Sequence, residues 1–322
     1  MRALMAVTCF PLLLSLTAAD NARLDAGEPL VELLPAESKE VAVRAATRIR
    51  ADPAHLIQWT RRIDQLSKSR YVVATGRFSE PPRIEDLDGL SLDDGDLTDL
   101  RRCRPRKCGV KLNDVEIANV REAIAAAGTQ WKTAAQQAFR AAVLARARHY
   151  LAEGHTASAS YHDAKETVLP DGEFAAVASH VELNQPELFP IVNYLSLYPK
   201  GTLPGVESFL YWSKESLGAK PIVGITHVAM VESAGASVRE ALVAKKQVYA
   251  SHYVLASLSF TAISASPDGR YRYLLYLNRS RSDVFDGLFG GFIRRTIARR
   301  LRDEAPSALQ ALRDRLESWP PR

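Results

Sequence analysis

Between Lys39 and Arg50, Val41, Val43, Ala45, Thr47 and Ile49 fall on one side of an extended chain, with Arg44, Arg48 and Arg50 on the other. That period of two predicts a strand. Asp52-Pro53 then offers a helix cap followed by proline at the first helical position. Leu56, Trp59, Ile63 and Leu66 recur on one face of a helix expected over residues 53–66. Residues 71–111 keep neither period: they carry Pro81-Pro82, an acidic run from Glu85 to Asp99 and two cysteines, and read as a solvated, turn-rich loop. From Asp114 to Gly154 the chain becomes alanine-rich helix in two pieces broken near Gly128. There Trp131, Ala135, Phe139, Val143 and Ala147 keep a four-residue spacing, and Gly154 supplies a stop. A mixed stretch from Phe174 to Tyr198 follows.

The last third is rich in β-branched and aromatic residues, with strands expected at Val206–Trp212, Pro221–Glu232, Lys246–Ile263 and Tyr271–Arg281. Pro267-Asp268-Gly269 is a turn that pairs the last two as a hairpin. A straight strand from Lys246 to Ile263 would run roughly 55–60 Å at about 3.3 Å per residue. It must bend or break, and Ser251, Ala256, Ser257 and Ser259 permit this. The chain closes with a helix whose stripe is Phe289, Ile293, Ile297 and Leu301, with Arg295, Arg299 and Arg302 opposite. A second helical piece spans Ser307 to Trp319.

Composition adds a compartment. Arg2, an apolar stretch from Ala3 to Leu16 and small residues before Asp20 form the pattern of a signal peptide ending near Ala19, which implies a periplasmic or secreted protein. Pro11 interrupts that stretch and it falls short of a membrane span. Its removal takes Arg2 and no acid, lowering the formal charge from +5 to +4. Such a weak balance gives no footprint for nucleic acid. Of the three cysteines, Cys103 and Cys108 remain, and their closeness around a proline turn favours a local disulfide. No zinc or haem spacing is present. The acids between Glu85 and Asp99 do not fit a calcium loop either, because no Asp lies five residues before Gly89 or Gly95. No metal or cofactor is expected, and no nucleophile elbow, phosphate loop or dinucleotide fingerprint occurs.

The run Val41-Ala-Val-Arg-Ala-Ala-Thr-Arg-Ile-Arg-Ala-Asp-Pro-Ala-His-Leu-Ile-Gln-Trp59 and the tail from Gly290 to Glu317 resemble the opening strand and helix and the closing helix of the START-like, or Bet v 1-like, helix-grip superfamily. The resemblance implies an α+β fold: a curved antiparallel sheet gripping a long C-terminal helix, here with a large, mainly helical insertion after the first helix. Residues 1–19 would be the signal peptide, 36–68 and 205–322 the helix-grip domain, and 69–204 the insertion. It also implies a cavity for a hydrophobic small molecule or lipid between sheet and last helix.

The apolar rows of the strands contain a few polar groups. His227 shares a face with Val223, Ile225, Ala229 and Val231. His252 shares one with Val248, Ala250, Val254 and Ala256, leaving Tyr249 and Tyr253 opposite. Tyr271, Tyr273 and Arg279 share a face of the last strand and are candidates for a cavity mouth. Packed, hydrogen-bonded sheet residues give the same pattern. Three functions follow: an exported carrier of a hydrophobic ligand, an enzyme using His227 or His252 as general base, or an envelope interaction module docking through the inserted helices. The arginine face of the last helix also suits peripheral contact with a membrane, although solvated arginines over an apolar core explain it more simply.

Overall fold

A computed structural model describes residues 16–155, 159–216, 218, 220–234, 239–286 and 289–319. The segment expected as a signal peptide lies, up to residue 15, outside the described residues. The order is α1 (Ala18–Asp25), β1 (Leu30–Leu34), β2 (Glu40–Ile49), α2 (Pro53–Arg61), α3 (Ile63–Leu66), β3 (Val72–Arg77), α4 (Asp94–Arg102), α5 (Asp114–Ala126), α6 (Trp131–Glu153), α7 (Pro170–Asn184), α8 (Phe189–Leu197), β4 (Glu207–Glu215), β5 (Ile222–Ala234), β6 (Arg239–Ala250), β7 (Val254–Ala265), β8 (Arg272–Ser282) and α9 (Gly290–Glu317). The fold is α+β. All eight strands form one antiparallel sheet in the order β1-β2-β8-β7-β6-β5-β4-β3, curved but not closed into a barrel.

Local sequence accounts for much of this. The Asp52 side chain accepts from the Ala54 amide and starts α2 on Pro53. The helix expected over 53–66 breaks at Arg62, whose backbone (φ −101°, ψ 53°) leaves the helical region. Asn113 and Glu116 cap α5 reciprocally, and Gly154, at φ +75°, ends α6. A Cβ at Gly154 would also collide with the Tyr198 carbonyl. The long run from Lys246 does break: residues 251–253 turn β6 into β7, with Tyr253 at φ +58°.

Four expectations need correction. The acidic stretch is not only loop: Asp94–Arg102 is helical, and Leu97 and Leu100 bury one side of it. Its Asp96 is buried as well, because His252 and Lys220 lie against it. The short segments forming β1 and β3 are too brief for alternation to reveal them, yet they make the two edges of the sheet. The C-terminal helix is continuous through Pro306. A proline inside a helix costs about 3 kcal/mol, which burial of Leu309 and Leu316 against the α2 core offsets. Finally, Tyr249 lies on the same side as Ile225: the β5–β6 register shifts between Ile225 and Thr226, so Val248 is an extra residue and the alternation reverses after it.

The sheet has two unlike faces. On one, α2 packs Leu56, Ile57 and Trp59 against Phe209, Val228, Met230, Ala241, Val243, Ile263 and Leu274. α9 lies on this face too. It packs against β1 and β2 at one edge, while Glu304 meets Tyr71 and Arg315 meets the Leu66 and Lys68 carbonyls, just ahead of β3 at the other edge. One helix can reach both edges of an eight-stranded sheet only if the sheet curls around it, so this is the concave face. The convex face carries α7 over β7 and β8, and α8 and the α4–α6 group over β4–β6. Among the described residues no helix is long and apolar enough to cross a membrane. The Cys103–Cys108 disulfide staples the loop after α4 and is compatible with an oxidising compartment.

Candidate functional site

Antiparallel pairing fixes which side chains share the concave face, because directly paired residues point the same way. One row across the sheet is Phe209, Val228, Lys245, Ser259, Asn278 and Val43; the next is Met230, Val243, Thr261, Tyr276 and Ala45. Thr226 pairs with Gln247, and Ser257 with Ser280. The apolar members sit under α2. The polar ones, Thr226, Lys245, Gln247, Ser257, Ser259, Thr261, Tyr276, Asn278 and Ser280, form a contiguous strip across the four central strands, and every one remains half-exposed.

Three members of the strip are tied to one another. Ser257 Oγ lies 2.8 Å from Ser280 Oγ, Asn278 Nδ2 donates to Ser257 Oγ at 3.1 Å, and Ser280 Oγ donates to Asn278 Oδ1 at 2.9 Å. Thr226 hydrogen-bonds the Tyr211 hydroxyl, and among the described residues two further members lack partners. Gln247 Oε1 is buried without a hydrogen-bond partner. Among the described residues Lys245 makes no ion pair within 4 Å, its ammonium lying 5.8 Å from the centre of the Tyr211 ring. Burial lowers the Lys245 pKa and pushes the Tyr276 hydroxyl up to about 12, Glu215 acting on both as a more distant charge. These side chains are desolvated by their neighbours and still keep some accessible surface. The sheet-facing side of α9 adds the half-buried Ile293, Ile297 and Leu301.

The convex face holds a denser ionisable cluster. His227 on β5 pairs across the strands with Lys246 on β6. The Tyr150 hydroxyl lies 2.9 Å from His227 Nδ1, and the Tyr198 ring is 4.4 Å from the imidazole. Lys246 Nζ donates to the Leu195 carbonyl at 2.9 Å and sits 3.9 Å from the centre of the Phe174 ring. Burial brings Lys246 down to about 7, and burial followed by the Lys246 charge brings His155 and His227 down to about 3. A base that weak is a neutral hydrogen-bonding group at pH 7 and a poor proton acceptor. Two openings adjoin the cluster. A cleft of about 720 Å³ is lined by Arg148, Leu151, Tyr194, Tyr198, Ser208 and His227. A smaller one, about 310 Å³, lies along α5 and α6 and reaches Tyr150 and His155.

None of the five residues singled out from sequence lies on the concave face. His227 reaches the 720 Å³ cleft. His252 is not in a strand: it occupies the β6–β7 turn, buried, with Nε2 3.2 Å from Asp96 Oδ1. The two histidines therefore belong to separate environments. Tyr271, Tyr273 and Arg279 point to the convex side near β1 and β2. The Tyr273 hydroxyl donates to Asp25 at 2.6 Å, Arg279 donates to the fully buried Glu40 at 2.5 Å, and Arg48 stacks over Tyr271. Their contacts here are packing, hydrogen-bond and ion-pair contacts. Among the described residues no group of three or more His, Cys, Asp or Glu side chains is placed to hold a metal. The apolar rows of the strands do not contain the polar strip. Its signal was the opposite parity, Lys245-x-Gln247, Ser257-x-Ser259-x-Thr261 and Asn278-x-Ser280, which a water-facing sheet surface would also produce.

Comparison with protein-family models, curated proteins and solved structures yields no match to this chain. The architecture itself, a curved eight-stranded antiparallel sheet with a C-terminal helix, is compatible with a helix-grip fold.

Proposed function

We propose that this chain is an exported, START-like binding protein that holds or carries an amphipathic, lipid-like small molecule between the concave face of the sheet and α9. The observation that carries this reading is the polar strip on the central strands, partly accessible and partly unsatisfied, on the face that α2 and α9 pack against. Polar groups buried without partners cost stability, and Gln247 Oε1 is one, beside a Lys245 ammonium with no carboxylate within 4 Å among the described residues; a polar head group brought to them would offset that cost. A purely hydrocarbon ligand would leave them unpaired. An amphiphile satisfies them with its head while its chain lies against the apolar side of α9.

The outer face of α9 supports membrane proximity for such a carrier. Phe292, Arg295, Arg299 and Arg302 follow one another along the solvent side, and Phe289 and Phe292 are 74% and 66% exposed. Asp303 interrupts the basic stripe. Native mass spectrometry with lipid extraction, on mature protein purified from the envelope of its own host, tests the proposal. A stoichiometric amphiphile is the expected result. A chain that arrives empty and takes up no member of a lipid panel refutes it.

A further inference from the structure

Lys245 is the one cation of the polar strip, and its surroundings indicate what the strip recognises. It projects from the middle of β6, opposite Val228 on β5 and Ser259 on β7. Lysines in an interior are ordinarily matched by a carboxylate. Two other buried lysines of this chain are, Lys111 by Asp283 and Lys214 by Asp93 at 2.5 Å, while the buried Lys246 is held by the Leu195 carbonyl and the Phe174 ring. Lys245 has no such partner within 4 Å among the described residues. Glu215, the acid that influences it, is engaged instead by the Ser213 hydroxyl at 2.7 Å. Next to the ammonium in the paired rows stand uncharged hydrogen-bonding groups, Gln247, Ser259 and Asn278, and farther along the face the Tyr276 hydroxyl.

We infer that Lys245 anchors the carboxylate of a long-chain acid, so that the ligand of the concave site is a fatty-acid-like anion and not a neutral lipid. The inference rests on the reading that the space beneath α9 is a ligand site. An incoming carboxylate supplies the missing counter-charge, and the flanking amide and hydroxyl groups have donors for its second oxygen. Glu215 acts in the opposite sense, moderating affinity by repulsion.

Equilibrium dialysis of the mature chain against dodecanoate and against dodecanol separates this inference from the reading beneath it. Dodecanoate is expected to bind about 10- to 100-fold more tightly, the ratio that a charge-assisted hydrogen bond produces. Lys245→Met should erase that preference by weakening dodecanoate far more than dodecanol, Lys245→Arg should retain it, and Glu215→Gln should strengthen dodecanoate binding. Equal binding of acid and alcohol by the natural protein, or a preference that survives Lys245→Met, overturns the anchor and leaves the site standing. Binding of neither probe overturns both.

Discussion

The two faces of the sheet solve burial in opposite ways. On the convex side, ionisable groups are packed as though they were apolar: His155, His227 and Lys246 lie among Tyr150, Phe174, Tyr194 and Tyr198, and burial drives all three toward their neutral forms. On the concave side, polar groups on the central strands keep their exposure, and the apolar core is confined to the region under α2 and the end of α9. The first arrangement is a core that tolerates polar atoms. The second is a sheet surface that keeps polar side chains accessible beside an apolar core.

Acid should separate the faces most strongly. Both convex imidazoles have folded pKa values near 3 against 6.5 when unfolded, so the unfolded chain takes up protons first and stability falls as pH drops from 6.5 toward 3. At pH 4.5 the two together should cost roughly 5 kcal/mol relative to pH 7. Denaturant titrations at the two pH values measure this, and His227→Gln should recover about half of the loss. An unchanged midpoint would mean that the imidazoles are not desolvated.

Loss of packing where α9 meets α2 comes next. Leu316→Ala removes a fully buried side chain and should destabilise by about 2–4 kcal/mol in thermal or chemical unfolding. A negligible effect would show that α9 is not held in the grip. Lys246→Met should be smaller, neutral or stabilising by about 1–3 kcal/mol at pH 7, since a buried charge is replaced by an apolar chain of similar shape. The folded pKa of about 7 lies below the unfolded value of 10.5, so the natural protein gains stability as pH rises from 7 toward 10.5. The variant should lack that rise. Smallest of all should be Ser259→Leu on the concave strip, within about 1 kcal/mol in stability, while uptake of an amphiphile is lost. A stability change as large as that of Leu316→Ala would make the strip part of the core.

Much of the architecture was legible because period and punctuation agree: the Asp52-Pro53 helix start, the Gly154 stop, and the turn at Pro267-Asp268-Gly269 all act locally. What stayed hidden depends on partners distant in sequence. β1 and β3 exist because β2 and β4 offer them ladders, and Asp96 is inside because Lys220 and His252 meet it. The site was the least legible part. Alternation tells which side chains share a face but not which face is enclosed, and a single bulge at Val248 reverses the assignment for Tyr249.

The most direct test of the account is where a bound amphiphile lies. A dodecanoic acid carrying a photoreactive diazirine on its chain can be cross-linked to the full mature protein and the adducts mapped by peptide mass spectrometry. The account predicts labels on β6–β8, around residues 245–247, 257–261 and 276–280, and on the 293–301 face of α9. Labels confined to Tyr150, Tyr194, Tyr198 and the surroundings of His227 would place the ligand on the convex side and contradict it.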